Sequence, residues 1–124
     1  MTLKKKVLII DDDSRNIFAL KAVLKARGFH CISASGAMEG INMLNSDSGI
    51  GIVLMDMMMP DMDGYEAIYK IRNTDKIALI PIIAVTAQAM LGDREKALAA
   101  GANNYASKPV DVDLLTGILN RHLT

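Results

Sequence analysis

Short apolar runs alternate with stretches of helical periodicity along this chain, and that alternation restricts the fold more than any other feature. Four runs predict strands, at Val7–Ile10, Phe29–Ala34, Ile50–Met55 and Ile80–Val85. Three of them are nearly continuous in Val, Ile, Leu and Met, which is typical of strands that helices cover on both faces of a parallel sheet. A shorter fifth strand is predicted at Asn104–Ser107.

A helix is predicted after each strand. The third helix begins near Gly64, the fourth covers Asp93–Ala100, and the last begins at the N-cap residue Asp111. The residues of the first and last helices that are expected to face the core are Ile17, Leu20, Val23, Leu24, Leu114, Leu115, Ile118, Leu119 and Leu123. Five strand–helix units predict an α/β fold with five helices on both faces of a parallel sheet. We expect one domain over residues 1–124.

Composition excludes several classes of partner. Lys and Arg together number 14 and so do Asp and Glu, so the chain lacks the basic excess of a nucleic-acid or membrane-surface binder. No apolar stretch is long enough for a membrane span or an export signal. Cys31 is the single cysteine and cannot form an internal disulfide. We therefore expect a cytoplasmic protein with no direct nucleic-acid or membrane partner.

Polar and charged residues directly follow the predicted strands. In an open parallel sheet, ligands bind at the carboxyl ends of the strands, where the strand order reverses. Those ends converge on one edge of the sheet. The residues there are Asp11, Asp12 and Asp13 after the first strand, Asp56 after the third, Thr86 after the fourth, and Lys108 after the fifth.

This convergence predicts a site for a divalent cation and for phosphoryl transfer. Two carboxylates about 4 Å apart repel by about 1 kcal/mol in water and about 4 kcal/mol at an effective dielectric constant of 20, and a cation removes that cost. The available ligands are carboxylate oxygens, so Mg²⁺ fits best, and Ca²⁺ or Mn²⁺ less well. An aspartate nucleophile, a cation, the Lys108 ammonium group and the Thr86 hydroxyl together suit phosphoryl transfer.

Four separated segments resemble those of the response-regulator receiver family in type, order and spacing. The segments read VLIIDDD, IVLMDMMMPDMDGYEA, PIIAVTA and GANNYASKPVD, and the resemblance covers essentially the whole chain. It implies a flavodoxin-like strand order of 2-1-3-4-5. It also implies a phosphorylation-operated domain of a two-component system. Within that family the chain weakly resembles the hybrid-kinase and phosphorelay types.

The resemblance implies a role for each residue that matches a family motif. Asp56 matches the phosphoacceptor. Asp11 and Asp12 match the acidic pair that holds Mg²⁺, with Asp12 as the direct ligand, and Asp56 and the backbone carbonyl of Met58 would be further ligands. Lys108 matches the phosphate-contacting lysine.

The remaining matches concern the switch. Thr86 matches the switch hydroxyl and Tyr105 the switch aromatic residue. The peptide bond between Lys108 and Pro109 is expected to be cis. Asp13 falls where the family is variable, so it is left outside the site.

The function that the resemblance implies is signalling. A histidine kinase or a histidine phosphotransfer protein would donate the phosphoryl group, and the face formed by the fourth helix, fifth strand and fifth helix would bind an output protein or domain. We expect slow self-catalysed dephosphorylation but no turnover enzyme. Met58 is expected to slow this hydrolysis, because a bulky apolar side chain hinders an attacking water.

Three other functions fit parts of the sequence. An aspartate phosphohydrolase would use Asp11 as nucleophile with Asp13 two residues on, but it would need a cap domain and would leave Asp56 unexplained. A flavodoxin-type FMN carrier needs a phosphate-binding loop after the first strand, where this chain carries three aspartates. A degenerate receiver would lack Asp56, Thr86 or Lys108, and all three are present.

Overall fold

A computed structural model describes residues 5–87 and 92–123, and in these ranges strands and helices alternate from end to end. The strands are β1 (Lys6–Ile10), β2 (Cys31–Ala34), β3 (Ile50–Asp56), β4 (Ile82–Thr86) and β5 (Asn104–Ser107). The helices are α1 (Ser14–Ala26), α2 (Ala37–Ser46), α3 (Gly64–Arg72), α4 (Asp93–Ala100) and α5 (Val112–Leu123), with a short 3-10 turn at Asp75–Ile77. The predicted α/β organisation is confirmed.

The five strands form one parallel sheet in the order β2-β1-β3-β4-β5, as predicted. The strand order reverses between β1 and β3, where Ile10 pairs with Met55. The last pairs in register between β3 and β4 and between β4 and β5 are Asp56 with Val85 and Thr86 with Ser107. The carboxyl ends of β1, β3, β4 and β5 therefore lie along one edge of the sheet.

Alternation along the strands divides the core into two layers. On β1, Leu8 and Ile10 belong to one layer, and Val7 and Ile9 belong to the other. The first layer packs under α2, α3 and α4 through Ala37, Ile41, Leu44, Ala67, Ile68, Ile71 and Ala97. The second packs under α1 and α5 through Leu24, Leu115, Ile118 and Leu119. Helices thus cover both faces, which accounts for the apolar character of both sides of the central strands.

Two residues that were expected to face the core are exposed. Val23 of α1 and Leu114 of α5 each precede a buried leucine, Leu24 and Leu115, by one position. One position turns a residue about 100° around a helix, which places both at the margin of the apolar stripe. The prediction that these two side chains point inward was wrong.

Three aspartates begin helices as N-caps. The carboxylate of Asp13 accepts a hydrogen bond from the Arg15 amide at 2.9 Å at the start of α1. Asp63 accepts from the Glu66 amide at the start of α3. Asp111 accepts from the Leu114 amide at the start of α5, as predicted. Each cap satisfies a backbone donor that has no partner within its helix.

Arg72, at the end of α3, joins three segments that pack around β4 and β5. Its guanidinium group donates to the carbonyl oxygens of Gly101, Ala78 and Ile80 and to the Asn103 side chain. The same Asn103 oxygen accepts from the Ile82 amide at 2.9 Å. Arg72 therefore fixes the two loops that lead into β4 and into the edge strand β5.

No helix in residues 5–87 and 92–123 is long and apolar enough to cross a membrane. The longest in this part of the chain is α1, with 13 residues. A spanning helix needs about 20 predominantly apolar residues.

Candidate functional site

Three carboxylates meet where the strand order reverses. Asp11 follows β1, Asp12 is next in the chain, and Asp56 ends β3. Each offers one oxygen, and these three oxygens all lie within 4.8 Å of one another. Asp11 and Asp56 are buried and Asp12 is exposed. The cluster that the sequence predicted is therefore formed.

Burial and the neighbouring charges both act on the Asp56 carboxylate. Only 5% of the residue is exposed, and its Oδ1 accepts a hydrogen bond from the Met58 amide at 3.1 Å. Burial, followed by repulsion from Asp11, raises the pKa of Asp56 to about 6, against the hydrogen bond from Met58 and the charge of Lys108, which lower it. The ionised carboxylate therefore lacks part of the stabilisation that water would give it.

Lys108 provides the positive charge of the site. Its Nζ donates to Asp11 Oδ2 at 3.0 Å and lies 3.9 Å from Asp56 Oδ1. The Lys108 amide also donates to the Thr86 carbonyl at 2.7 Å, which ties the lysine to the end of β4. The bond between Lys108 and Pro109 is cis, as expected. The ammonium group therefore lies between the two buried carboxylates and nearer to Asp11.

Thr86 and Tyr105 lie on β4 and β5, the two strands that follow β3 in the sheet order. Thr86 is the last residue of β4 and is buried. Tyr105, on the edge strand β5, is half-buried and packs against the first core layer. Its hydroxyl group is buried and has no hydrogen-bond partner among the described residues. A hydroxyl in this position destabilises the conformation that buries it.

The loop between β3 and α3 passes close to the site because residue 64 is glycine. The Gly64 amide donates to the Met57 carbonyl at 3.2 Å. A Cβ atom on residue 64 would lie only 2.7 Å from the Met57 Cα atom. This close approach folds the loop back on itself while Met57 is buried and Met58 remains exposed.

Asp13 does not join the carboxylate cluster. Its side chain caps α1, and its amide donates to Asp11 Oδ1 at 2.8 Å. The second carboxylate that the phosphohydrolase alternative requires is therefore engaged with the helix. The acidic cluster after β1 likewise disfavours a phosphate-binding loop for FMN.

A cavity of about 240 Å³ adjoins the site and was not foreseen from the sequence. Apolar residues of β1, β3, α1 and the loop before α5 line most of it, among them Ile9, Leu54, Leu20 and Val110, while Asp56 and Lys108 lie at one end. Its apolar lining comes from segments that are distant in the sequence, and these residues look like ordinary core positions. No local pattern in the sequence identifies such a space.

The donor atoms of the cluster suit a hard divalent cation. All are carboxylate oxygens, two of them from buried residues, and among the described residues one ammonium group, that of Lys108, lies against them. Mg²⁺ takes such ligands, usually one or two carboxylates completed by water and phosphate oxygens. The residues present therefore fit Mg²⁺.

Comparison with known proteins agrees with this geometry. The family model described as the response regulator receiver domain matches residues 7–120. The chain is 36% identical to the histidine-protein kinase BarA of Escherichia coli K12 over 97% of its own length and 13% of that protein. It is 31% identical to the polar-differentiation response regulator DivK of Brucella anthropi, over 89% of each chain.

The chain is also similar over nearly its whole length to a solved receiver structure. That structure is the receiver domain of the sensor histidine kinase PA1611 from Pseudomonas aeruginosa PAO1, with a magnesium ion coordinated in its active site cleft. The TM-score is 0.86 and the identity 32%, over 97% of this chain and 98% of that one.

The chain spans only 7 to 15% of the length of several sensor kinases that it matches, BarA among them, so the similarity concerns their receiver portions. The family match covers nearly all of the chain, and the sheet order and the acidic edge agree with it. This chain belongs to the response regulator receiver domain family and is homologous to the receiver domains of hybrid histidine kinases and phosphorelay proteins.

Proposed function

We propose that Asp56 accepts a phosphoryl group from a phosphohistidine residue of a histidine kinase or a histidine phosphotransfer protein. The bond between phosphorus and the histidine nitrogen breaks as an Asp56 oxygen forms a bond to phosphorus. The observation that carries this proposal is the buried Asp56 carboxylate, which lies at the strand reversal with two further carboxylates and an ammonium group around it. A nucleophile in such a setting suits phosphoryl transfer, where catalysis is mostly positioning and charge stabilisation.

The surrounding groups divide the work of binding. Asp12, Asp56 and the Met58 carbonyl, assisted by Asp11, would hold Mg²⁺, which when bound neutralises charge on the phosphoryl oxygens. Lys108 Nζ is 3.9 Å from Asp56 Oδ1, within reach of an oxygen of a group attached there. The ammonium group has three N–H donors, so this contact is compatible with its 3.0 Å bond to Asp11.

Phosphorylation would then be read out through Thr86 and Tyr105. The Thr86 hydroxyl would move toward the phosphoryl group, and Tyr105 would repack into the space beside it. The face formed by α4, β5 and α5 would change shape and bind an output protein or domain. Tyr105 and the exposed Leu114 both line a groove of about 180 Å³ on this face.

We further propose a cytoplasmic signalling domain that comprises residues 1–124 as one unit and that is not a turnover enzyme. Loss of the phosphoryl group would be self-catalysed and slow. Met58 flanks Asp56 with an exposed side chain, and this apolar side chain would hinder an attacking water. A Met58→Asn variant is expected to lose phosphate faster than the unmodified chain, and an equal or slower rate would refute this role.

The phosphoacceptor is tested by intact-mass measurement after incubation with acetyl phosphate and Mg²⁺. The unmodified chain is expected to gain one phosphoryl group, and Asp56→Asn is expected to gain none. Asp75→Asn is the matched control, because Asp75 lies in the 3-10 turn after α3 and outside the carboxylate cluster. A phosphoryl adduct on Asp56→Asn, or on none of the three proteins, would refute the assignment.

A further inference from the structure

Two methionine side chains stand out by exposure among the described residues. Met58, in the loop after β3, is 51% exposed, and Met38, on α2, is 50% exposed. Met55, Met57 and Met59 are buried in the core layer beneath the site. Peroxides oxidise a thioether according to its accessibility. Met58 and Met38 are therefore the residues of the described chain most open to such oxidation.

Cys31 does not compete for the oxidant. It is half-buried and packs against the second core layer. Burial raises the pKa of the Cys31 thiol to about 11, so the reactive thiolate is scarce at neutral pH. Among the described residues, the sulfur atoms that peroxide can oxidise at the surface are therefore those of methionine.

Only one of the two exposed methionines adjoins the site. The Met58 amide donates to Asp56 Oδ1 at 3.1 Å, so its side chain leaves the backbone two residues from the phosphoacceptor. Met38 lies on α2, which packs on the sheet through Ala37, Ile41 and Leu44. The two side chains are equally exposed, but only Met58 adjoins Asp56, so Met38 serves as an internal control.

We propose that Met58 is a site of reversible oxidation and that its sulfoxide shortens the lifetime of the phosphoryl group on Asp56. The inference rests on the proposed function of Asp56. A peroxide transfers one oxygen atom to the Met58 sulfur: a sulfur–oxygen bond forms, the oxygen–oxygen bond breaks, and water or an alcohol leaves. The sulfur is oxidised by two electrons and the peroxide is reduced. A thiol-dependent sulfoxide reductase reverses the step and forms a disulfide and water.

The effect on lifetime follows from the change in polarity. The thioether is apolar and offers an attacking water no strong hydrogen bond, whereas the sulfoxide oxygen is a strong acceptor. A water held by that oxygen lies beside the acyl phosphate. One hydrogen bond of ordinary strength changes a rate by about two- to tenfold. We expect the phosphoryl group to be lost faster by that factor.

The experiment compares the unmodified chain, Met58→Leu and Met38→Leu, each with and without hydrogen peroxide. Peptide mapping locates the added oxygen atoms, and the loss of the phosphoryl group from Asp56 is followed by intact mass after the donor is removed. The ratio of treated to untreated lifetime within each protein is the quantity compared. Met1 and Met90 lie outside the described residues, and the variants separate Met58 from them.

Peroxide is expected to oxidise Met58 and Met38 ahead of the buried methionines. It should shorten the phosphoryl lifetime about two- to tenfold in the unmodified chain and in Met38→Leu, leave the ratio near one in Met58→Leu, and lose its effect after reductase treatment. An unoxidised Met58, an unchanged or longer lifetime, or equal sensitivity of Met58→Leu would overturn the proposal. A chain that takes up no phosphoryl group before peroxide would instead refute the proposed function, and the lifetime effect with it.

Discussion

Replacing Asp56 by asparagine is predicted to stabilise the metal-free protein. Asparagine has nearly the shape of protonated aspartate and carries no charge. The pKa of Asp56 rises from 3.8 to about 6 in the folded chain, and each pH unit corresponds to about 1.4 kcal/mol. The ionised carboxylate therefore destabilises the folded state by about 3 kcal/mol at neutral pH. Asp56→Asn should raise the free energy of unfolding by up to about that amount, or roughly 10 °C in Tm.

The pH dependence of this difference has a definite sign. Because the folded pKa lies above the unfolded value, the folded chain binds the proton more tightly, and the cost is fully present above about pH 6. Between pH 6 and pH 4 the folded protein takes up the proton and the cost disappears. The stability gap between Asp56→Asn and the unmodified chain should be largest near pH 7.5 and about half as large at pH 5.

Urea and thermal unfolding measure the difference in the free energy of unfolding between the two proteins. Far-ultraviolet circular dichroism is the readout, because the chain has no tryptophan for fluorescence. The measurement is made with a chelator and again with Mg²⁺. At 100 times its Kd, a ligand of the folded state adds about 2.7 kcal/mol, so Mg²⁺ should narrow or reverse the gap by stabilising the unmodified chain. The Asp56→Asn variant lacks one of the carboxylates that are proposed to hold Mg²⁺, so it should gain less.

Two outcomes would contradict the reasoning. If Asp56→Asn in chelator at pH 7.5 is no more stable than the unmodified chain, the buried carboxylate is not a source of instability. If Asp75→Asn, a change outside the carboxylate cluster, stabilises equally, the gain reflects overall charge rather than crowding.

Four further predictions concern the surroundings of the site. Tyr105→Phe should raise the free energy of unfolding by about 1 kcal/mol, measured by urea titration, because it removes a buried hydroxyl without a partner in the described chain. Arg72→Ala should lower the same quantity by about 2–4 kcal/mol, because the carbonyl groups that it bonds lose their donors. Gly64→Ala should cost about 1–3 kcal/mol through the clash with Met57, read by the shift of the thermal midpoint. The Kd for Mg²⁺, measured by calorimetry, should rise about tenfold between pH 7 and pH 5, because protons compete for Asp56 with its pKa near 6.

The parts of the fold that follow from periodicity were predictable. Runs such as Ile50–Met55 are apolar on both faces and identify buried strands, and the structure extends that run by one residue to Asp56. The predicted strands at Phe29 and Ile80 begin two residues early, because apolar residues at the entrance of a strand look the same as those inside it. The apolar pattern predicts which residues are buried more accurately than it predicts the residue at which a strand begins to pair.

The composition of the site was predictable because position on the sheet follows from topology. Residues after parallel strands meet at one edge, so Asp11 and Lys108, which are 97 positions apart, come together at the edge that was predicted. Which carboxylate Lys108 contacts was not predictable. Its Nζ lies nearer to Asp11 than to Asp56, and only side-chain geometry decides that.

The role of Arg72 could not be predicted from the sequence. Its partners are mainly backbone carbonyls in loops up to 29 residues away, and every residue has a carbonyl. An arginine at the end of a helix is expected to be solvated and to interact favourably with the helix dipole. Only the path of the loops before β4 and β5 places their carbonyl groups around it and makes it a partly buried anchor.

The site and the edge strand meet at the backbone of Thr86 and Lys108. Thr86 ends β4, and its carbonyl accepts the Lys108 amide at 2.7 Å, while Thr86 pairs in register with Ser107 of β5. A displacement of the Thr86 backbone toward Asp56 would therefore carry Lys108 with it and draw the end of β5, two residues beyond Tyr105, in the same direction. Switching from 1:99 to 99:1 needs about 5.5 kcal/mol. A buried hydroxyl without a partner costs about 1–3 kcal/mol, so if the repacked state gives the Tyr105 hydroxyl a partner or returns it to water, this residue alone supplies a substantial share of the difference.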